Sequence, residues 1–293
     1  MRKNPKDRFQ SAAETLAHLE ECTQRSVGSP DGPQSPQLVA GHLFGRTQEL
    51  IQLQESFCTA SAAMNETPCL VVRGPSGAGK TRLVQEVRGL VQVSRGAYVE
   101  IPGRPFGAAP IDVAELILRG LETSGINDLD SVREALVSLP TDSPDIERTI
   151  VDTVLHKSHG VPILLSFDDF QRAPARIRSL ALRIARTARE NLVSGTARPK
   201  LLVVLSWSTD DGRGDFSNLQ DLPAIDLKPF EKDVARAFVQ QLFGQEDIHE
   251  EMLQLILDCA HGNPGRLVEL ASDLVDSEVV QHSGSRWIFP VTT

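Results

Sequence analysis

Cys69-Leu-Val-Val-Arg-Gly74-Pro-Ser-Gly77-Ala-Gly79-Lys80-Thr81 is the stretch on which the reading of this chain turns. Cys69–Arg73 reads as a short apolar strand, Gly74–Thr81 fits G-x-x-x-x-G-K-[ST] at every fixed position, and a helical pattern runs on over Lys80–Val93. Strand, glycine-rich loop and helix in that order form the context in which this pattern carries chemistry. Small residues let successive backbone N–H groups turn inward around a phosphate, and the helix N-terminus adds partial positive charge. The candidate cradle is therefore Gly74, Pro75, Ser76, Gly77, Ala78, Gly79, Lys80, Thr81 and the adjoining Arg82. Lys80 would reach the β- and γ-phosphates of a nucleotide, and the Thr81 hydroxyl would coordinate Mg²⁺.

A second element is needed to complete a metal site. Val161-Pro-Ile-Leu-Leu-Ser-Phe-Asp168-Asp169 is an apolar strand ending in two carboxylates. Asp168 at its tip would hold Mg²⁺, directly or through water, facing Thr81, and Asp169 would polarise the attacking water. Asp169-Phe170-Gln171 is not a kinase D-F-G, because Gln171 takes the glycine position.

The remaining strand signals are Ala97–Ile101, Leu201–Trp207 and Ala224–Leu227, with helical patterns over Arg46–Ala62, Ile111–Ser124, Asp145–Ser158 and Ala173–Asn191. Near-continuous apolar strands alternating with helices predict an α/β fold, a parallel five-stranded sheet covered on both faces. After Pro229 the pattern is purely helical, through Glu231–Phe243, Glu250–His261 and Arg266–Ser277, so a small helical or winged-helix-like part is expected to follow the core. At the other end, Ser11-Ala-Ala-Glu14 has the form of a capping box opening a short helix. The tract from Ser26 to Gly41 is rich in Pro, Gly and Ser and reads as a disordered linker.

Composition excludes several classes. No apolar run exceeds about seven residues, where some 18 are needed to span a bilayer. No stretch near residue 1 has the apolar centre of a signal peptide. Cys22, Cys58, Cys69 and Cys259 form no C-x-x-C pair, so reduced thiols and a cytoplasmic location are expected. Lys and Arg number 30 against 39 Asp and Glu, a net charge of -9 that argues against a generic nucleic-acid binder. The charge is uneven: Gln171–Lys200 carries eight bases against Glu190 alone, a solvated helix face or else an intersubunit arginine finger or a docking patch for an acidic partner. His156 and His159, three apart with no third ligand, read as a surface helix end.

Leu43-Phe44-Gly45-Arg46-Thr-Gln-Glu49-Leu50, the P-loop, Asp168-Asp169-Phe-Gln and Gly262-Asn263-Pro264 occur in an order that resembles signal-transduction ATPases of the STAND/AAA type, over about residues 40–290. The resemblance implies that Gly45 and Arg46 lie just before the nucleotide, that Pro264 closes over adenine, and that the bound group is ATP with Mg²⁺. One departure stands out. Relatives often end the fourth strand in an arginine or a polar sensor, and here Ser206 and Ser208 take that place. A hydroxyl can orient water or a phosphate oxygen but supplies no positive charge to the transition state.

Asn4-Pro5-Lys-Asp7-Arg8-Phe9-Gln-Ser11-Ala12 is similar to the last helix of a bacterial Ser/Thr protein kinase domain. The kinase Gly-rich loop, strand lysine and catalytic-loop aspartate are missing, so this chain is not expected to phosphorylate protein. The expected organisation is a kinase-like stub (1–25), a linker (26–41), a P-loop NTPase core (42–228) and a lid (229–293). The expected function is an ATP-binding, slowly hydrolysing switch cut from a larger kinase–ATPase protein. Its expected partners are the nucleotide, other domains of that parent and, in a nucleotide-dependent way, a second copy. A non-hydrolysing scaffold and a DNA-associated AAA ATPase are the alternatives.

Overall fold

The computed structural model describes residues 43–64, 67–103, 110–141, 143–195, 197–212, 219–283 and 286–289. The kinase-like stub and the linker expected before residue 42 lie outside these. Helix α1 (Thr47–Ser61) leads into β1 (Cys69–Gly74), followed by α2 (Lys80–Glu86), α3 (Arg88–Val93), β2 (Ala97–Ile101), α4 (Pro110–Thr123), α5 (Asp130–Ser138) and α6 (Pro144–Gly160). Then come β3 (Ile163–Phe167), a 3₁₀ turn at Phe170–Arg172, α7 (Ala175–Ser194), β4 (Leu201–Ser208) and β5 (Ala224–Asp226). The C-terminal part holds α8 (Lys232–Phe243), α9 (Glu250–Ala260), α10 (Pro264–Asp276) and a hairpin of β6 (Gln281–Ser283) and β7 (Arg286–Ile288).

The five core strands are parallel, in the order β2-β3-β4-β1-β5. Every residue of β3 and β4 is buried, which explains why both read as continuous apolar runs. Alternate residues feed two cores. Leu70, Val72, Leu164, Leu202 and Val204 pack with Leu53 and Phe57 of α1 and with Leu83, Val84 and Val91. Val71, Val99, Leu165, Val203 and Leu205 pack with Ile117 of α4, Val154 of α6 and Leu180 of α7. Burial pushes the Cys69 thiol up to about 12, so at neutral pH it serves as a small apolar side chain. No helix among the described residues is long and apolar enough to cross a membrane.

Three expectations need correction. The single helix over Lys80–Val93 is two, because the Val87 N–H bonds the carbonyl of Val84 at 3.2 Å and tightens the turn there. Helix α5 was not read from the sequence. It carries an exposed Val137 and is tied to α4 by Arg133, whose guanidinium donates to Glu122 at 2.9 Å and Glu115 at 3.3 Å. The C-terminal part is not purely helical: Trp287 of β7 packs on Phe243 at 5.5 Å and exchanges two hydrogen bonds with the Gln245 side chain. This part has its own core, built on Val239, Leu242, Leu253, Ile256 and Leu267.

Helix α4 approaches β2 so closely that a Cβ on Gly120 would lie 2.8 Å from both methyl carbons of the buried Val99. Gly120→Val will overpack this contact and cost about 2 kcal/mol. A lower urea midpoint at unchanged slope is the expected result.

Candidate nucleotide site

The site lies where β1, β3 and β4 end. Gly77 (φ +77°) and Gly79 (φ +93°) hold the loop in left-handed conformations that L side chains rarely adopt. Lys80 is buried at the head of α2, and its Nζ donates to the carbonyls of Gly74 (3.0 Å) and Pro75 (2.8 Å). Burial lowers the Lys80 pKa, while the charges of Asp169, Asp210 and Asp168 oppose that shift. Three carboxylates thus surround the one ammonium in the cradle.

Thr81 Oγ1 donates to Asp168 Oδ2 at 2.8 Å, across the top of the sheet. Asp168 Oδ1 and Ser206 Oγ are buried with no hydrogen-bond partner. Register brings them side by side: Phe167 pairs with Leu205, so the next step sets Asp168 beside Ser206. Two unsatisfied buried oxygens next to a Thr–Asp pair cost free energy unless something binds them. A hard cation that takes oxygen ligands and retains water fits this donor set. Thr81 and Asp168 would be the protein ligands of such a cation, with the unpartnered Ser206 Oγ on the neighbouring strand.

Asp169 lies at the N-cap of the 3₁₀ turn in a left-handed conformation (φ +43°). Its carboxylate accepts from Gln171 Nε2 at 3.3 Å and lies 3.7 Å from Arg172. Gln171 is buried and also contacts Asp211 at 3.3 Å, while its Oε1 accepts from the backbone N–H of Ser208 at 3.2 Å. Arg172 donates to Asp211 at 2.6 Å. The Asp169 carboxylate is thereby linked to the tip of β4. Ser208 takes part through its backbone N–H.

Beside the loop, a cavity of about 280 Å³ is lined by Leu43, Phe44, Arg46, Ala78, Arg82, Phe230, Phe238, Pro264 and Val268 among others. Phe44, Phe230 and Phe238 form an aromatic cluster with centroids 5.5–6.4 Å apart. Arg46 stacks on Phe230 at 4.6 Å and donates to the carbonyls of Lys228 (2.6 Å) and Ala78 (3.4 Å). Burial lowers its pKa, against the nearby Glu49 carboxylate. Gly45 (φ +62°) carries no Cβ where one would strike Val234. An apolar, aromatic slot of this size beside a phosphate cradle suits a purine base.

Helix α10 closes the site. Its N-cap Asn263 accepts from the Arg266 N–H at 3.1 Å and donates from Nδ2 to the carbonyl of Ser76 at 2.7 Å. The Gly265 N–H donates to the carbonyl of Gly77 at 2.9 Å. All the residues nominated from the sequence lie around this one end of the sheet. Sequence reasoning did not nominate Gln171, Arg172, Asp210, Asp211 or Asn263. Asn263 carried a signal, an N-cap before proline, whereas the other four depend on a strand pairing that no local pattern reports. The Arg-rich face of α7 is partly committed within the fold, since Arg183 pairs with Glu147 at 2.8 Å and Arg178 donates to the Gln171 carbonyl.

Parallel sheet, phosphate loop, Thr–Asp pair and base slot together define a P-loop nucleoside triphosphatase. A family model described as AAA ATPase domain matches residues 42–204, more than half of the chain, and the chain belongs to that family. Among solved structures it is similar to Cdc6p from Pyrobaculum aerophilum, with a TM-score of 0.57 and 17% identity over 85% of this chain. The alignment takes in 64% of that protein's chain, and at this identity the likeness speaks for the fold alone. No curated protein matches.

Asn263→Ala removes the cap and the Ser76 contact together, and will cost about 1 kcal/mol, seen as roughly fivefold faster amide exchange in the first turn of α10. Asn263→Asp keeps the cap acceptor but loses the donor. It will leave α10 protected while the Gly265 amide exchanges faster. Identical exchange profiles for the two variants would count against the contact with Ser76.

Proposed function

We propose that the chain is an ATP-driven switch module in which closure of the C-terminal part reports the nucleotide state. The observation that carries this reading is the direct hydrogen bonding of the α10 turn to the loop, through Ser76 and Gly77. A ligand that reshapes the loop must alter these two contacts.

Binding would draw Lys80 from its own loop carbonyls to the phosphates, and the inward N–H groups would receive the remaining phosphate oxygens. Thr81 and Asp168 would hold Mg²⁺, which when bound neutralises phosphate charge. Adenine would enter the slot between Arg46, Phe230 and Pro264, and Asp169 would orient the attacking water once Gln171 and Arg172 release it. Hydrolysis on this reading is slow, because Ser206 and Ser208 bring no cation to the developing charge. A second reading, a nucleotide-holding scaffold with little turnover, is favoured by the hold of Arg172 and Gln171 on Asp169.

The resemblance to STAND ATPases and to a kinase C-terminal helix supports placing this module behind a kinase domain in a larger signalling protein. Its partners on that reading are neighbouring domains and a second copy. The acidic balance leaves nucleic acid outside the proposal.

Wild type should bind ATP·Mg²⁺ and turn it over slowly. Lys80→Ala should lose at least tenfold in affinity, and Asp169→Ala should keep affinity and lose about 100-fold in turnover. Calorimetry and a phosphate-release assay separate the two readings: equal turnover in wild type and Asp169→Ala leaves a scaffold. A wild type that binds no nucleotide would falsify both.

A further inference from the structure

Strand β4 does not stop at the edge of the sheet. Gly74 pairs with Ser208, the Thr209 N–H donates to the Gly74 carbonyl at 3.1 Å, and the chain continues alongside the phosphate loop. This path delivers Asp210 to the loop, where its Oδ1 accepts from the backbone N–H of Ser76 at 2.9 Å. The carbonyl of that same peptide group, on Pro75, accepts from Lys80 Nζ at 2.8 Å. One peptide of the cradle is thus held between the ammonium that serves the outer phosphates and a carboxylate.

Among the described residues, the charges next to Asp210 have partners of their own. Arg172 is bound by Asp211 and lies beside Asp169, and Asp168 is bound to Thr81. Among the described residues Asp210 has a backbone donor and no ion-pair partner. Among the described residues, four carboxylates, Asp168, Asp169, Asp210 and Asp211, gather around Lys80 and Arg172. A diphosphate held by Lys80 and the loop N–H groups would not need the Ser76 N–H. A third phosphate would add negative charge near Asp210 and compete with it for that N–H.

We propose that Asp210 sets the nucleotide preference of the site, its carboxylate disfavouring the terminal phosphate so that the resting chain holds a nucleoside diphosphate. This rests on the nucleotide-binding reading above and adds to it the direction of the switch. The diphosphate state is the ground state, and the triphosphate state requires Asp210 to leave the loop. Asp210 is a specificity residue and takes no part in bond making.

The test is calorimetry on the full chain with Mg²⁺, using ADP and the non-hydrolysable imido analogue of ATP. Wild type should bind ADP more tightly than the analogue. Asp210→Asn keeps an acceptor oxygen for the Ser76 N–H and removes the charge. It should tighten the analogue about tenfold while moving ADP by less than twofold. Asp210→Glu, which keeps the charge, should retain the wild-type ratio. An unchanged ratio in Asp210→Asn overturns the proposal, as does weaker analogue binding, which would mark Asp210 as a metal or phosphate ligand. Equal tightening of the analogue in Asp210→Glu and Asp210→Asn would also overturn it. Failure of wild type to bind either nucleotide instead removes the reading on which the proposal stands.

Discussion

Both backbone polar groups of Ser76 are taken from outside its own loop: the carbonyl by Asn263 of the C-terminal part, the N–H by Asp210 beyond β4. A glycine-rich phosphate loop has almost no side chains with which to hold itself, so its shape depends on such outside partners. The close approach of Gly265 reinforces them. A Cβ on Gly77 would lie 2.6 Å from Asn263 Oδ1, and one on Gly265 would lie 2.7 Å from the Gly77 Cα. Glycine at both positions is what allows two separately packed parts of the chain to meet backbone to backbone.

The sheet order explains how these partners reach the loop. With β4 placed between β1 and β3, the tip of β4 adjoins both the phosphate loop and the Asp168–Asp169 corner. Gln171 uses this adjacency, bonding the Ser208 N–H with one end of its amide and the Asp169 and Asp211 carboxylates with the other. A buried amide with both ends satisfied holds its neighbours in one arrangement. The tip of β4 and Asp169 are therefore joined directly through the Gln171 side chain.

How much could be read beforehand follows from this dependence. Gly74–Thr81 was legible because a loop around phosphate has requirements that are local in sequence, and Asp168 because a strand buried on both faces has an abrupt polar end. The sheet class was legible for the same reason. The partnership of Asp210 with Ser76 was not. It follows from a ladder that pairs Gly74 with Ser208, residues joined only by long-range topology. The β6–β7 hairpin escaped because its strands are three residues each and all but Trp287 are exposed, leaving no alternation to detect. Helix α5 was missed because an exposed Val137 blurs its apolar stripe and inter-helix ion pairs help to hold it.

The aromatic slot beside the loop lies at the seam between two packed units. The C-terminal helices have a core of their own, and Phe230 and Phe238 from that side meet Phe44 from the other. Arg46 spans the seam: its guanidinium binds carbonyls of Ala78 in the loop and Lys228 before α8, and its face covers Phe230. Separating the two units would break the hydrogen bond to Lys228 and the stacking on Phe230 and return the guanidinium to water. The phosphate loop at Ser76 and the aromatic slot at Arg46 therefore border the same seam from opposite ends. Helix α10 touches both, through Asn263 on Ser76 and Pro264 in the slot.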